Sequence, residues 1–335
     1  MQSSFGRNNN LEGKRKSEMN FISFEELGNC IYRNLYKVPL SVDLVVGIPR
    51  SGTLAGNLLA LYKNLPFTNI NDFLMDVDLK SGSTRKCKNW IKRPSEAKHV
   101  LIVDDSISSG KAMREVKDLV LEKGITTKIT YLAVYALRAT CHMVDIYLEI
   151  CEQPRVFEWN YMHHWILEYT CMDIDGVLCN DPTFWENNDA KEYENFIVNA
   201  TPKIIPTQKV GMLVTGRIEK YREETQKWLQ RQGVEYGELE MIPASSARER
   251  TKKFEHAEFK AEIYKKSACV LFVESSYEQA VEICRLANKP VLCVENKKMI
   301  TQNNLLFHMQ ALKNDWRITS KRVIKKLLKK IDYVK

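Results

Sequence analysis

Short, wholly apolar runs alternate along this chain with stretches whose apolar residues recur every three or four positions. In the first half, residues 43–48, 100–103 and 129–135 read as buried strands, and residues 53–62 and 112–123 read as helices. A further helix is expected to start after Ser23, with Glu25 and Glu26 in its first turn and Leu27, Ile31 and Leu35 on one face. After residue 165 the alternation begins again, with strands at 169–173, 209–215, 239–242, 269–274 and 290–294 and helices between most of them. Such alternation predicts an α/β protein of two domains, each a mainly parallel sheet with flanking helices.

The expected organisation is a polar, frayed N-terminus over 1–19, a first domain over 20–165, a second over 166–300 and a basic amphipathic helix within 301–335. The join, residues 157–165, holds Phe157, Trp159, Tyr161, His163, His164 and Trp165, and is expected to be packed. No apolar run approaches the roughly eighteen residues that span a bilayer, and no secretory signal is visible. Nine cysteines occur without a CxxC pair, which fits a reducing cytoplasm. The net charge of +8 is concentrated at one end, because residues 321–335 carry seven Lys/Arg against one Asp. No aromatic-basic recognition motif accompanies that charge, so nucleic acid is not an expected partner.

The strand at 100–103 is followed by Asp104 and Asp105, then by Ser106, Ile107, Ser108, Ser109, Gly110 and Lys111. Paired carboxylates at a strand's carboxyl end can hold vicinal ribose hydroxyls, while a hydroxyl-rich turn opening a helix can receive a phosphate. This stretch resembles the 5-phosphoribosyl 1-pyrophosphate (PRPP) motif of the type I phosphoribosyltransferases. Gly47, Ile48, Pro49, Arg50, Ser51 and Gly52 are similar to that family's pyrophosphate loop, and both occur in the family's order. The resemblance implies PRPP as donor and Mg²⁺ bridging pyrophosphate and ribose. It also implies a mobile loop over PRPP, matched here by residues 81–86 with Arg85 and Lys86. Purine-type members place an acid where this chain has Ser108, so a nucleobase is not the obvious acceptor. His163 and His164 are candidates for orienting an acceptor, against the commoner reading of a structural histidine.

Asp173 and Asp175 lie at the end of another apolar strand, with Gly176 turning the chain away. This segment resembles the first motif of the haloacid-dehalogenase-like phosphatases, and Thr215, Lys260 and Glu274 follow in the order of the later motifs, with Glu278 a weaker candidate. The resemblance implies that Asp173 attacks phosphorus and that Asp175 protonates the leaving oxygen and then activates water. Thr215 and Lys260 would hold the phosphoryl oxygens, and Mg²⁺ would sit among Asp173, Asp175, the intervening Ile174 carbonyl and Glu274. Two anions can meet only where such cations offset their repulsion. The family usually has Asp where Glu274 stands. The short spacings leave no room for a large cap domain, so an open site on a bulky substrate is expected.

Residues 321–331 place Val323, Ile324, Leu327, Leu328 and Ile331 on one side of a helix and all six basic residues on the other. That pattern suits peripheral contact, through residues 319–335, with an anionic membrane face; it equally suits a helix docked on its own domain. Taken together, residues 20–300 resemble the bacterial dual-domain ribofuranosyltransferases. Their expected activity is transfer of ribofuranose 5-phosphate from PRPP to a sugar hydroxyl of a lipid-linked glycan in polysaccharide biosynthesis, followed by removal of the 5-phosphate. The alternative is a nucleotide salvage phosphoribosyltransferase fused to a nucleotidase.

Overall fold

The computed structural model describes residues 19–84, 87, 90–183, 185–186, 191–244 and 256–314. The chain divides into two compact units, Met1–Arg155 and Val156–Lys335. Arg85, Lys86, the N-terminal segment before Met19 and the basic segment 319–335 lie outside the described residues.

The first unit begins with a short strand β1 (Asn20–Ile22) and a helix α1 (Phe24–Arg33). Ser23 caps α1 and the Glu26 side chain returns a bond to the Ser23 backbone, so the expected start is a full capping box. Leu27 and Ile31 are buried as expected, but α1 ends before Leu35, which opens a separate 3₁₀ turn. There follow β2 (Leu44–Gly47), α2 (Ser51–Lys63), β3 (Phe67–Asn69), α3 (Ile70–Leu74), β4 (His99–Ile107), α4 (Lys111–Glu122), β5 (Lys128–Ala136) and β6 (Ile146–Ile150). The sheet order is β3-β2-β4-β5-β6, and every pairing is parallel. Val100, Leu101, Ile102 and Val103 are fully buried, as a central strand covered on both faces requires.

β4 runs four residues beyond the apolar stretch that announces it. Asp104, Ser106 and Ile107 pair with Ala133, Tyr135 and Ala136 of an equally long β5, so the strand continues through polar residues because its neighbour supplies backbone partners. The open turn is thereby confined to Ser108, Ser109 and Gly110.

The second unit opens with β7 (Arg155–Phe157), which starts on the last residue of the first. Phe157, Tyr161 and Met162 of the aromatic stretch are buried. Its sheet is built from β8 (Thr170–Met172), β9 (Val210–Ile218), β10 (Tyr236–Ile242), β11 (Leu271–Glu274), β12 (Val291–Cys293) and β13 (Lys298–Ile300). Helices α5 (Lys191–Asn199), α6 (Arg222–Arg231), α7 (His256–Lys266) and α8 (Tyr277–Ala287) connect them. The order is β10-β9-β8-β11-β12-β13, parallel except for β13, an antiparallel edge strand absent from the expected set. No helix among the described residues is long and apolar enough to cross a membrane.

Candidate functional sites

In an open parallel sheet, ligands bind at the carboxyl ends of strands where the connections reverse direction. In the first unit that point falls between β2 and β4, since β3 lies outside β2 while β5 and β6 continue beyond β4. The two loops singled out in the sequence follow these two strands. Ile48 N–H donates to Val103 O at 2.9 Å, tying the first loop to the second strand.

Two glycines make that contact close. A methyl group on Gly52 would lie 2.7 Å from Val103 O and 2.9 Å from Asp104 Oδ1, and one on Gly47 would lie 2.5 Å from Thr53 Cα. We expect Gly52→Ala to cost about 1–3 kcal/mol, the usual penalty for overpacking, in a urea melt, and to weaken PRPP binding. Gly28→Ala in α1, where the added carbon would make only ordinary contacts at 3.7 and 3.8 Å with the ends of Tyr62 and Leu58, is the control and should neither lower stability nor weaken binding.

α2 begins at Ser51 and α4 at Lys111, and neither has a side-chain cap. Lys111 N–H reaches Ser109 Oγ at 3.4 Å and Thr53 N–H reaches Arg50 O at 3.2 Å; helix starts at the sheet's carboxyl edge are suited to anions. Gly110 enters α4 with φ +73°. Arg114 donates to Ser109 O at 3.2 Å and steadies the turn. Asp104 and Asp105 are only 9% and 6% exposed, and Asp105 N–H donates to Asp104 Oδ1 at 2.9 Å. Burial, reinforced by the Asp105 charge, pushes the Asp104 carboxyl up to about 8.

Arg155 escaped sequence reasoning. It is buried, and donates to Cys151 O at 2.7 Å and to Ile107 O at 3.0 Å, bracing the end of β4 beneath the turn. No local pattern marks it, because Ile107 is 48 residues away along the chain. The two histidines have structural employment in the second unit. His164 Nδ1 accepts from Ile166 N–H at 3.2 Å as a cap, and His163 Nδ1 meets Thr207 Oγ1 at 2.9 Å.

In the second unit the reversal falls between β8 and β11. Asp173 follows β8 and Glu274 ends β11, and a cavity of about 560 Å³ opens beside them. Lys260, from α7, is 1% exposed and donates to Asp173 Oδ2 at 2.6 Å, Glu274 Oε2 at 2.7 Å and Gln279 Oε1 at 3.1 Å. Burial alone would lower the Lys260 pKa, but the two carboxylates hold it above its ordinary value. Burial raises Asp173 to about 7; Lys260 opposes the rise, and Glu274 and Asp175 add to it.

Asp175 is gripped by Arg217, whose Nη2 donates to Oδ1 at 2.6 Å and whose Nε donates to Oδ2 at 3.1 Å. Arg217 is fully buried and also donates to Thr225 at 3.3 Å. Gly176, at φ +76°, lets the chain turn against Ser275, which a side chain there would meet at 2.4 Å.

Three further residues are placed as follows. The Ile174 carbonyl accepts from the N–H groups of Val177, Leu178 and Cys179, and the Asp175 carbonyl accepts from Ser275 Oγ at 3.3 Å. Glu278 is exposed, and the helix turns its neighbour Gln279 toward Lys260 instead. Thr215 is fully buried, accepts from Arg217 N–H at 3.3 Å and is not part of the cavity wall, whereas Gly216 is. Between β8 and β9 the described chain contributes one short helix, α5, whose Tyr193 reaches the wall.

Residues 24–163, which take in most of the first unit, match the phosphoribosyl transferase domain family. The chain is similar to the xanthine-guanine-hypoxanthine phosphoribosyltransferase of Helicobacter pylori at 17% identity, covering 43% of this chain and 95% of that one, with TM-score 0.32. It is also similar to a purine phosphoribosyltransferase from Pyrococcus horikoshii at 19% identity, covering 42% and 93%, with TM-score 0.31. A hypothetical protein from Neisseria gonorrhoeae with bound ppGpp is similar at 13% identity, covering 44% and 92%, with TM-score 0.32. No curated protein matches the chain.

Proposed function

We propose that this chain is a bifunctional ribofuranosyltransferase. The first unit transfers ribofuranose 5-phosphate from PRPP to a sugar hydroxyl of a glycan, and the second hydrolyses the 5-phosphate. The observation that carries this reading is the second cluster: a buried Asp173, Lys260 and Glu274 at a sheet reversal, in the same chain as a phosphoribosyl transferase domain. A transfer domain alone has no use for a phosphotransfer site. Together they make sense if the product of one still carries the phosphate that the other removes.

In the first unit, Asp104 and Asp105 accept from the ribose hydroxyls, and Ser106, Ser108, Ser109 and the start of α4 receive the 5-phosphate. The loop from Gly47 to Gly52 and the start of α2 hold the departing pyrophosphate. In the second, Asp173 attacks phosphorus while Lys260 offsets the charge of the approaching phosphoryl oxygens, with Thr215 supporting the strand end from below.

Mg²⁺ fits both places by its preference for hard oxygen donors and few carboxylates. Asp173 and Glu274 are buried with one lysine between them, and Asp104 and Asp105 form a buried like-charged pair. No group of three or more His, Cys, Asp or Glu side chains placed to hold a metal occurs among the described residues. When bound, Mg²⁺ supplies charge neutralisation where two anions meet.

A lipid-linked acceptor accords with the small insert beside the second cavity and with the basic, amphipathic segment 319–335. Deleting 319–335 should release the protein from anionic vesicles while leaving activity on a short soluble acceptor unchanged. Each basic residue near such a surface contributes about 1 kcal/mol, and salt should oppose binding. Cosedimentation checks this; unchanged sedimentation with a lowered melting temperature would mean that the segment docks on its own domain.

A further inference from the structure

Lys260 has three acceptors, and they are not equal. Asp173 Oδ2 and Glu274 Oε2 take its ammonium protons at 2.6 and 2.7 Å, while Gln279 Oε1 lies at 3.1 Å. The two short bonds join opposite charges, and the long one reaches a neutral amide, which is the weaker partner. The carboxylates are also held from behind. Asp173 Oδ1 accepts from Ile174 N–H at 2.8 Å, and Glu274 Oε1 accepts from Ser276 N–H at 3.1 Å and from Ser275 Oγ at 3.3 Å. The Gln279 side chain makes only its bond to Lys260 among the described residues.

An ammonium has three protons, so Lys260 is fully occupied before any phosphate arrives. A phosphoryl oxygen that binds it has to displace one acceptor. Gln279 stands in the same cavity wall as Asp173 and Lys260. It lies in the first turn of α8, where Ser276 Oγ accepts from Gln279 N–H at 3.4 Å, so its backbone is fixed while its side chain can turn.

Resting on the phosphatase reading above, we propose that Gln279 is a positioning residue that holds the phosphate's place on Lys260. Its carbonyl oxygen occupies the third ammonium proton until a phosphoryl oxygen of the substrate displaces it. A neutral holder gives way where a third carboxylate would not. Asp173 and Glu274 against Lys260 already leave the cluster with a formal negative charge, and another would also repel an arriving phosphate.

The test measures competitive inhibition by inorganic phosphate of ribose 5-phosphate hydrolysis, using the full chain with saturating Mg²⁺. Gln279→Met keeps the length of the side chain and removes the acceptor. Its inhibition constant should fall about fivefold, because the freed ammonium proton gains an acceptor when phosphate binds. Gln279→Glu puts a charged acceptor in the same place, and its constant should rise on the order of tenfold. KM should move in the same directions, and by more than kcat. A residue that only orients Lys260 would lower kcat in both variants and leave phosphate affinity alone; an amide that binds phosphate itself would make Gln279→Met bind phosphate more weakly. Either result, or equal constants in Gln279→Met and the wild type, would overturn the proposal. Melting curves establish that the variants are folded, with Gln279→Leu in place of a Gln279→Met that is not. A wild-type chain that hydrolyses neither ribose 5-phosphate nor 4-nitrophenyl phosphate would contradict the phosphatase reading itself, and this inference with it.

Discussion

Asp173→Asn should stop dephosphorylation while leaving transfer intact, so that the acceptor accumulates with ribose 5-phosphate attached. Removing an attacking group costs at least about a thousandfold in comparable enzymes, and an amide oxygen cannot replace a carboxylate here. The fold should survive, because Lys260 keeps Glu274 and Gln279 as partners. Mass measurement of the acceptor product checks the outcome. Loss of PRPP consumption in this variant would contradict the assignment of the two reactions to two sheets.

The double variant Asp104→Asn with Asp105→Asn should abolish pyrophosphate release, and its melting temperature relative to the wild type should depend on pH. The two carboxylates are buried side by side, and Asp104 is raised to about 8. A carboxyl raised on folding binds its proton more tightly in the folded chain, so its contribution to stability is complete below about pH 4 and is lost as pH rises toward its folded value. The neutral amide at position 104 has no such pH dependence. The double variant should therefore gain in melting temperature relative to the wild type as pH rises from about 4 to 8. Dephosphorylation of a supplied phosphoribosylated acceptor should continue, and thermal melts across pH with a pyrophosphate assay decide both points.

The strands and both acidic loops were legible because buried parallel strands are written as unbroken apolar runs and their ends as abrupt acids or glycines. Asp173 and Glu274 stand at such ends, and Asp104 and Asp105 close the apolar run of a strand that continues to Ile107. What could not be read were the side chains that act across the sheet. Arg217 reaches back to Asp175 over 42 residues, and Arg155 to Ile107 over 48. Glu278 and Gln279 show a second limit, since a helix rotates about 100° per residue and a one-position error faces solvent. β4 shows a third: a strand's length is set by its neighbour β5 as much as by its own residues.

The most direct test of a two-step ribofuranosyltransferase is to incubate the full chain with PRPP, Mg²⁺ and a panel of glycans and nucleobases, then weigh the products. The wild type should add a pentose without phosphate to a glycan and release pyrophosphate, while Asp173→Asn adds the same pentose with its phosphate. A nucleoside formed from a nucleobase, with no glycan modified, would contradict it.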